Sequence, residues 1–195
     1  DVSARCISML AQLGETLDTS AALKRGVDYL LSDQEKDGSW FGRWGANYIY
    51  GTWSALCALN AAGVPHDHDA FRRAVNWLIS IQNADGGWGE DLSSYKLEYK
   101  GHEPAPSTAS QTAWALLALM ASGDVDHPAV ARGVAYLQAT QADHGLWDEA
   151  RFTATGFPRV FYLRYHGYAK FFPLWALARY RNLARANSKH VQVGL

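Results

Sequence analysis

Arg73-Ala-Val-Asn-Trp-Leu-Ile-Ser-Ile-Gln82-Asn-Ala-Asp-Gly86-Gly-Trp88 decides the fold of this chain, because the pattern recurs three times without a gap. Its counterparts run from Arg25 through Gln34 and Gly38 to Trp40, and from Arg132 through Gln141 and Gly145 to Trp147. Each copy ends in Gln-x-x-x-Gly-x-Trp. Self-similarity at this spacing marks a repeat architecture, in which a unit buries its apolar face against its neighbours. Ahead of each Gln, apolar residues fall three and four apart: Leu23, Val27, Leu30 and Leu31, then Phe71, Val75 and Leu78, then Val130, Val134 and Leu137. That spacing predicts a helix with one buried stripe.

An aligned helix precedes each of these. Val2 to Leu13 ends at Gly14, Thr52 to Ala62 at Gly63, and Thr112 to Ser122 at Gly123. Glycine at those points suits the left-handed residue that closes a helix. These first helices are apolar on several sides (Trp53, Leu56, Cys57 and Leu59; Trp114, Leu116, Leu117 and Leu119), which predicts burial over most of their surface. Asp126 and Pro128 read as start signals for the third outer helix. A last helix is expected from Tyr165 to Asn187, kinked at Pro173. Loops Asn83 to Pro106 and Ala142 to Pro158 carry Gly, Pro and aromatics, and no strand pattern stands out. The fold class is therefore all-α: paired inner and outer helices forming part of an α/α-toroid. Residues 1–188 are expected to be the barrel portion and 189–195 a tail. Seven helices are too few to close a double ring, so the chain is either an open arc or the completion of a longer barrel. An open arc would expose its inner face and invite a second copy, giving a homodimer.

Composition excludes several function classes. With 18 Lys+Arg against 19 Asp+Glu the net charge is −1, so no nucleic-acid partner is indicated. Between Ala150 and Leu195 lie eight basic residues and no acidic ones. That end suits either a solvated helix face or anionic lipid headgroups. Cys6 and Cys57 read as reduced core residues rather than a disulfide framework. No apolar run reaches spanning length. The His66-Asp67-His68-Asp69 stretch reads as a helix start, not a metal site, and no cofactor motif occurs. Glu90, Asp91, Asp148 and Glu149, just after the repeat Trp residues, leave a glycosidase acid/base pair as the rival enzyme reading.

Physically, Gln-x-x-x-Gly-x-Trp is a staple. The Gln amide bonds free carbonyls at a helix end and accepts from the next helix, Gly allows the tight turn, and Trp folds back over the Gln amide. Three copies behind aligned helix pairs resemble the QW repeat of the squalene–hopene and oxidosqualene cyclase family. So do Asp1-Val-Ser-Ala-Arg5, Gly42-Arg-Trp-Gly-Ala-Asn-Tyr-Ile-Tyr-Gly-Thr52 and Thr155-Gly-Phe-Pro-Arg-Val-Phe-Tyr-Leu-Arg-Tyr-His-Gly-Tyr168. The last segment is similar to the C-terminal signature of bacterial squalene–hopene cyclases.

This resemblance implies the C-terminal part of a class II terpene cyclase. Such an enzyme cyclises squalene to hopene or hopanol by a protonation-initiated carbocation cascade, peripherally at the cytoplasmic side of a membrane. It also implies that Trp44, Tyr50, Phe157, Phe161, Leu163, Tyr165 and Tyr168 line the substrate cavity. Read from the residues alone, any of them could be ordinary core. The family's proton donor lies in an Asp-x-Asp-Asp motif, which this chain lacks. Asp67-His68-Asp69 and Asp124-Val125-Asp126 are expected to be linker caps instead. By resemblance, Asp1 and Arg5 support the acid, and the N-terminal part of the same enzyme supplies it. A fragment without that acid is expected to be soluble and inactive alone. The alternative is a non-catalytic helical-repeat module that binds a lipid or a partner.

Overall fold

A computed structural model describes residues 1–96, 98 and 101–191. Its helices are α1 (Val2–Gln12), α2 (Ala21–Ser32), α3 (Tyr48–Ala61), α4 (Asp69–Ser80), α5 (Ala109–Ala121), α6 (Pro128–Ala139) and α7 (Tyr168–Arg185). α1, α3, α5 and α7 pack side by side as an inner row, and α2, α4 and α6 lie behind α1, α3 and α5. This is the all-α, paired-helix arc that the repeats imply. α3 and α5 are buried almost all round, whereas α2, α4 and α6 bury one stripe each. Gly14, Gly63 and Gly123 close the inner helices with φ of +92°, +79° and +85°.

The staples differ in detail from the sequence reading. Each Trp indole, not the Gln, caps its outer helix: Trp40, Trp88 and Trp147 donate Nε1–H to the carbonyls of Leu30, Leu78 and Leu137 at 2.7–2.8 Å. Gln34 and Gln82 reach sideways to the next unit. Their amides donate to Ala70 O and Ala129 O at 2.9 Å, and their oxygens accept from Arg73 and Arg132. The Arg that opens the second and third repeats is thus the receiving half of the staple before it. Hydroxyls of Thr52 and Thr112, in equivalent places on α3 and α5, accept from the backbone N–H of Trp40 and Trp88 at 3.0 and 2.9 Å. The Gln141 amide bonds only Gly145 O, because no outer helix follows it among the described residues.

Other expectations are corrected. The stretch read without strands holds an antiparallel hairpin of β1 (Ala154–Phe157) and β2 (Phe161–Leu163). Four- and three-residue strands, with Gly156 inside the first and Pro158 just after it, show no alternation to read. They form because residues 44–46 pair with β1 from the other side, through Thr155 N to Trp44 O and Ala46 N to Thr153 O. α7 starts at Tyr168 rather than Tyr165. Histidines cap where aspartates were expected: Nδ1 of His68 and His127 accepts from Ala70 N and Ala129 N at 3.1 Å. Asp126 is therefore not the N-cap of α6. Cys6 is exposed on α1, and only Cys57 is core. Both thiols are free.

Residues 189–191 of the expected tail are held against the arc. Asn60 Nδ2 donates to Val191 O at 2.8 Å, His190 packs on His66 with centroids 4.9 Å apart, and Lys189 Nζ caps Leu183 O and Ala184 O of α7. Residues 192–195 of that tail, and residues 97, 99 and 100 of the Asn83–Pro106 loop, lie outside the described residues. No described helix is long and apolar enough to cross a membrane.

Candidate functional site

The N-terminal ends of the inner helices gather the loops that carry the aromatic segments. Two carboxylates, Glu90 buried and Glu149 half-buried, organise this end. Glu90 accepts from the backbone N–H groups of Asn47, Tyr48 and Ile49 at 3.0 Å each, neutralising the donors at the start of α3. Glu149 does the same for α5 through Ser110 N and Oγ at 2.9 and 2.8 Å. Burial pushes both carboxyls above the ordinary range, and the N–H donors oppose it. Asp91 is paired with Arg151 at 2.6 Å. Three of the four carboxylates weighed as a glycosidase pair are thus engaged in holding helices and loops, which removes that reading.

Asp1 caps α1, its Oδ1 accepting from Val2 N at 2.7 Å. Its other oxygen accepts from the N–H groups of Arg43 and Trp44 at 2.8 and 2.7 Å. One carboxylate therefore ties α1 to the loop that bears Trp44. One turn further along α1, the Arg5 guanidinium lies 4.3 Å from the Trp53 ring and 5.8 Å from that of Tyr50, with Nη2 donating to Ser54 Oγ at 3.4 Å.

The expected cavity residues fall into two groups. Trp44, Phe157 and Phe161 form a rim on the loop and hairpin. Phe157 and Phe161 meet edge to face at 5.6 Å. All three residues are 45–59% exposed, so they are not core packing in this chain. Tyr50 and Tyr168 lie deeper, joined through Trp114 at 4.9 and 5.7 Å, and Tyr165 reaches Tyr168 at 4.9 Å. Leu163 is half-buried on β2 opposite Ala154. Burial moves the Tyr168 hydroxyl up to about 12, so it stays a neutral phenol at physiological pH.

Four aromatics of the deep group were not picked out as site residues from the sequence. Trp53 and Trp114 stack nearly parallel at 6.1 Å, and Phe172 and Trp175 of α7 close around Trp53 at 5.4 and 6.2 Å. The signal for α7 was present: Tyr168, Phe172 and Trp175 are four and three apart, one helical stripe. Trp53 and Trp114 gave no such signal, since their helices are apolar on all sides. Trp53 and Trp114 are themselves fully buried, so the rings of this electron-rich, non-basic group that keep some exposure are Tyr50, Tyr168, Phe172 and Trp175. An aromatic face attracts a cation by about 0.5–2 kcal/mol without abstracting a proton.

Similarity to known proteins agrees with this geometry. The profile of the squalene-hopene cyclase C-terminal domain matches residues 1–182. A squalene–hopene cyclase of Bradyrhizobium diazoefficiens is 72% identical over 195 residues, covering 100% of this chain and 30% of the relative. The squalene–hopene cyclase of Alicyclobacillus acidocaldarius is 48% identical over 93% of this chain and 28% of its own length. Sporulenol synthase of Bacillus subtilis is 40% identical over 92% of this chain and 28% of its own length. The chain spans less than a third of each of these curated relatives. On the profile match and these identities, the chain belongs to the squalene–hopene cyclase family and corresponds to its C-terminal domain.

Proposed function

We propose that this chain contributes one wall of a polyene-cyclising cavity in a class II, squalene–hopene-type cyclase, a membrane-peripheral enzyme whose acid comes from its N-terminal part. In such a reaction a carboxylic acid adds its proton to a terminal alkene. Successive π pairs then form new carbon–carbon bonds while the positive charge advances. Proton loss, or capture of water followed by proton loss, ends the cascade. The chain needs no cofactor for this role. It supplies stabilisation: Trp44, Phe157 and Phe161 at the rim, the exposed Tyr165, and Tyr50 and Tyr168 deeper offer ring faces to developing charge, with Leu163 as an apolar filler. Asp1 and Arg5 support the acid, Arg5 as a cation that favours the ionised carboxyl cluster.

The observation that carries this reading is the continuous contact from Arg5 through Tyr50, Trp53 and Trp114 to Tyr168 and Phe172 on four adjacent inner helices. The test is squalene turnover by this chain alone, and by a chimera in which it replaces the equivalent segment of the Bradyrhizobium enzyme. The expected result is no product alone and triterpene product from the chimera. Product from the isolated chain would overturn the claim that the acid is supplied elsewhere. A folded chimera without product would favour a non-catalytic binding module.

A further inference from the structure

Arg43 stands between two of the rim aromatics and belongs neither to the staples nor to the support of the acid. Its guanidinium carbon lies 4.3 Å from the centroid of the Trp44 ring and 5.5 Å from that of Phe157. Nη1 donates to Thr155 Oγ1 at 3.1 Å and Nη2 to Gly156 O at 3.2 Å, which fixes the plane of the fork on β1. The backbone of the same residue is held at both ends, its N–H by Asp1 Oδ2 at 2.8 Å and its carbonyl by the Thr155 hydroxyl. Both of these guanidinium acceptors are neutral.

Those rings need a holder. Trp44 and Phe157 are each about half exposed, and Arg43 packs on both. A planar guanidinium stacks on aromatic faces and hydrogen-bonds in its own plane at the same time, which an ammonium cannot do. A cation resting on one face of each ring also leaves only the opposite face free for another cation.

We propose that Arg43 is a positioning residue for the cyclisation: it clamps Trp44 and Phe157 and covers one face of each, so that only their opposite faces meet the substrate, and it thereby helps set where the cascade stops. This rests on the cavity-wall reading above. The clamp links Asp1, at the acid-supporting end, to Phe157 on the hairpin through one residue and its immediate neighbour.

Two measurements test it. In the chain itself, acrylamide quenching is assigned to Trp44 by difference from Trp44→Phe. Arg43→Met should raise the Trp44 quenching constant about two-fold as the stacked cation is lost, and Arg43→Lys and Thr155→Val should fall between. Unchanged Trp44 quenching in Arg43→Met overturns the clamp whatever the activity. In the Bradyrhizobium chimera, Arg43→Met should raise the share of partly cyclised products about ten-fold, since a small misplacement of a stabilising group costs that much or more. Arg43→Lys should recover part of the lost specificity. Raised quenching with an unchanged product ratio, or a fall in total turnover at constant ratio, overturns the positioning role. The unmutated chimera separates the two levels: if it makes no product, the cavity-wall reading fails and the role of Arg43 in it fails too, while the quenching result still judges the contact.

Discussion

Replacing Gly86 and Gly145 by alanine, one at a time, should separate backbone strain from contact between repeats. The two glycines occupy the same place in successive staples and hold nearly the same left-handed backbone, with φ of +88° and +81°. An alanine there costs about 1–2 kcal/mol in conformation alone. At Gly145 nothing lies within 4 Å of an added Cβ, so that figure is the whole effect. At Gly86 the added Cβ would sit 2.8 Å from Arg132 O and 3.1 Å from Arg132 C, the backbone of α6. Backbone cannot swing aside as a side-chain tip can, so α6 must shift. The shift strains the Gln82–Ala129 bond of 2.9 Å and the Arg132–Gln82 bond beside it. Overpacking of this kind adds about 1–3 kcal/mol, and a weakened hydrogen bond about 1 more. Gly86→Ala should therefore lose at least about 2 kcal/mol more than Gly145→Ala, which is about 4–8 °C in Tm for a chain of this length. Urea unfolding of both variants at equal m reads the difference directly. Equal losses would show that the staple's contact with the following outer helix contributes nothing, and would refute its role as the link between successive repeats.

Trp88→Phe should destabilise the chain by about 2–4 kcal/mol, because it opens a cavity at a fully buried site and strips Leu78 O of its 2.8 Å indole donor; a loss below about 1 kcal/mol in the same urea assay would contradict it. Glu149→Gln should remove a pH dependence. The folded pKa is raised by burial, so the folded chain binds more protons than the unfolded one above the ordinary carboxylate range. Stability from this group is full below that range and is lost as pH rises through the raised value. Melting curves of the two proteins should diverge across that window, and parallel curves would sink the argument. Native thiol labelling should modify Cys6 alone, since Cys57 is buried and desolvation pushes its thiol up to about 11; a second rapid equivalent without denaturant would place Cys57 at the surface. Phe161→Ala in the active chimera should release partly cyclised products, and an unchanged distribution would remove Phe161 from the wall.

Legibility in the sequence depended on whether a feature was periodic. Three in-register copies of Gln-x-x-x-Gly-x-Trp, with apolar residues three and four apart ahead of them, determined the helix pairs, their inner and outer assignment and the closing glycines. A helix needs only local spacing and a turn, and both are written in consecutive residues. The segments around Trp44 and Phe157–Tyr168 could also be singled out, because their residues match a family pattern in order. What no periodicity encodes is which partner a side chain finds across the fold. Arg73 and Arg132 complete staples begun 39 and 50 residues earlier. Arg43 joins the Trp44 loop to a hairpin 112 residues away. Glu90 and Glu149, open in sequence to a rival acid/base reading, accept from the N-terminal N–H groups of α3 and α5. The hairpin itself exists because residues 44–46 offer its first strand a partner. Sequence by itself determined the repeating scaffold, since that is local geometry. Only the tertiary structure decided which of the polar and aromatic residues hold the scaffold and which face its inner wall, since burial and long-range pairing exist only once the chain has closed on itself.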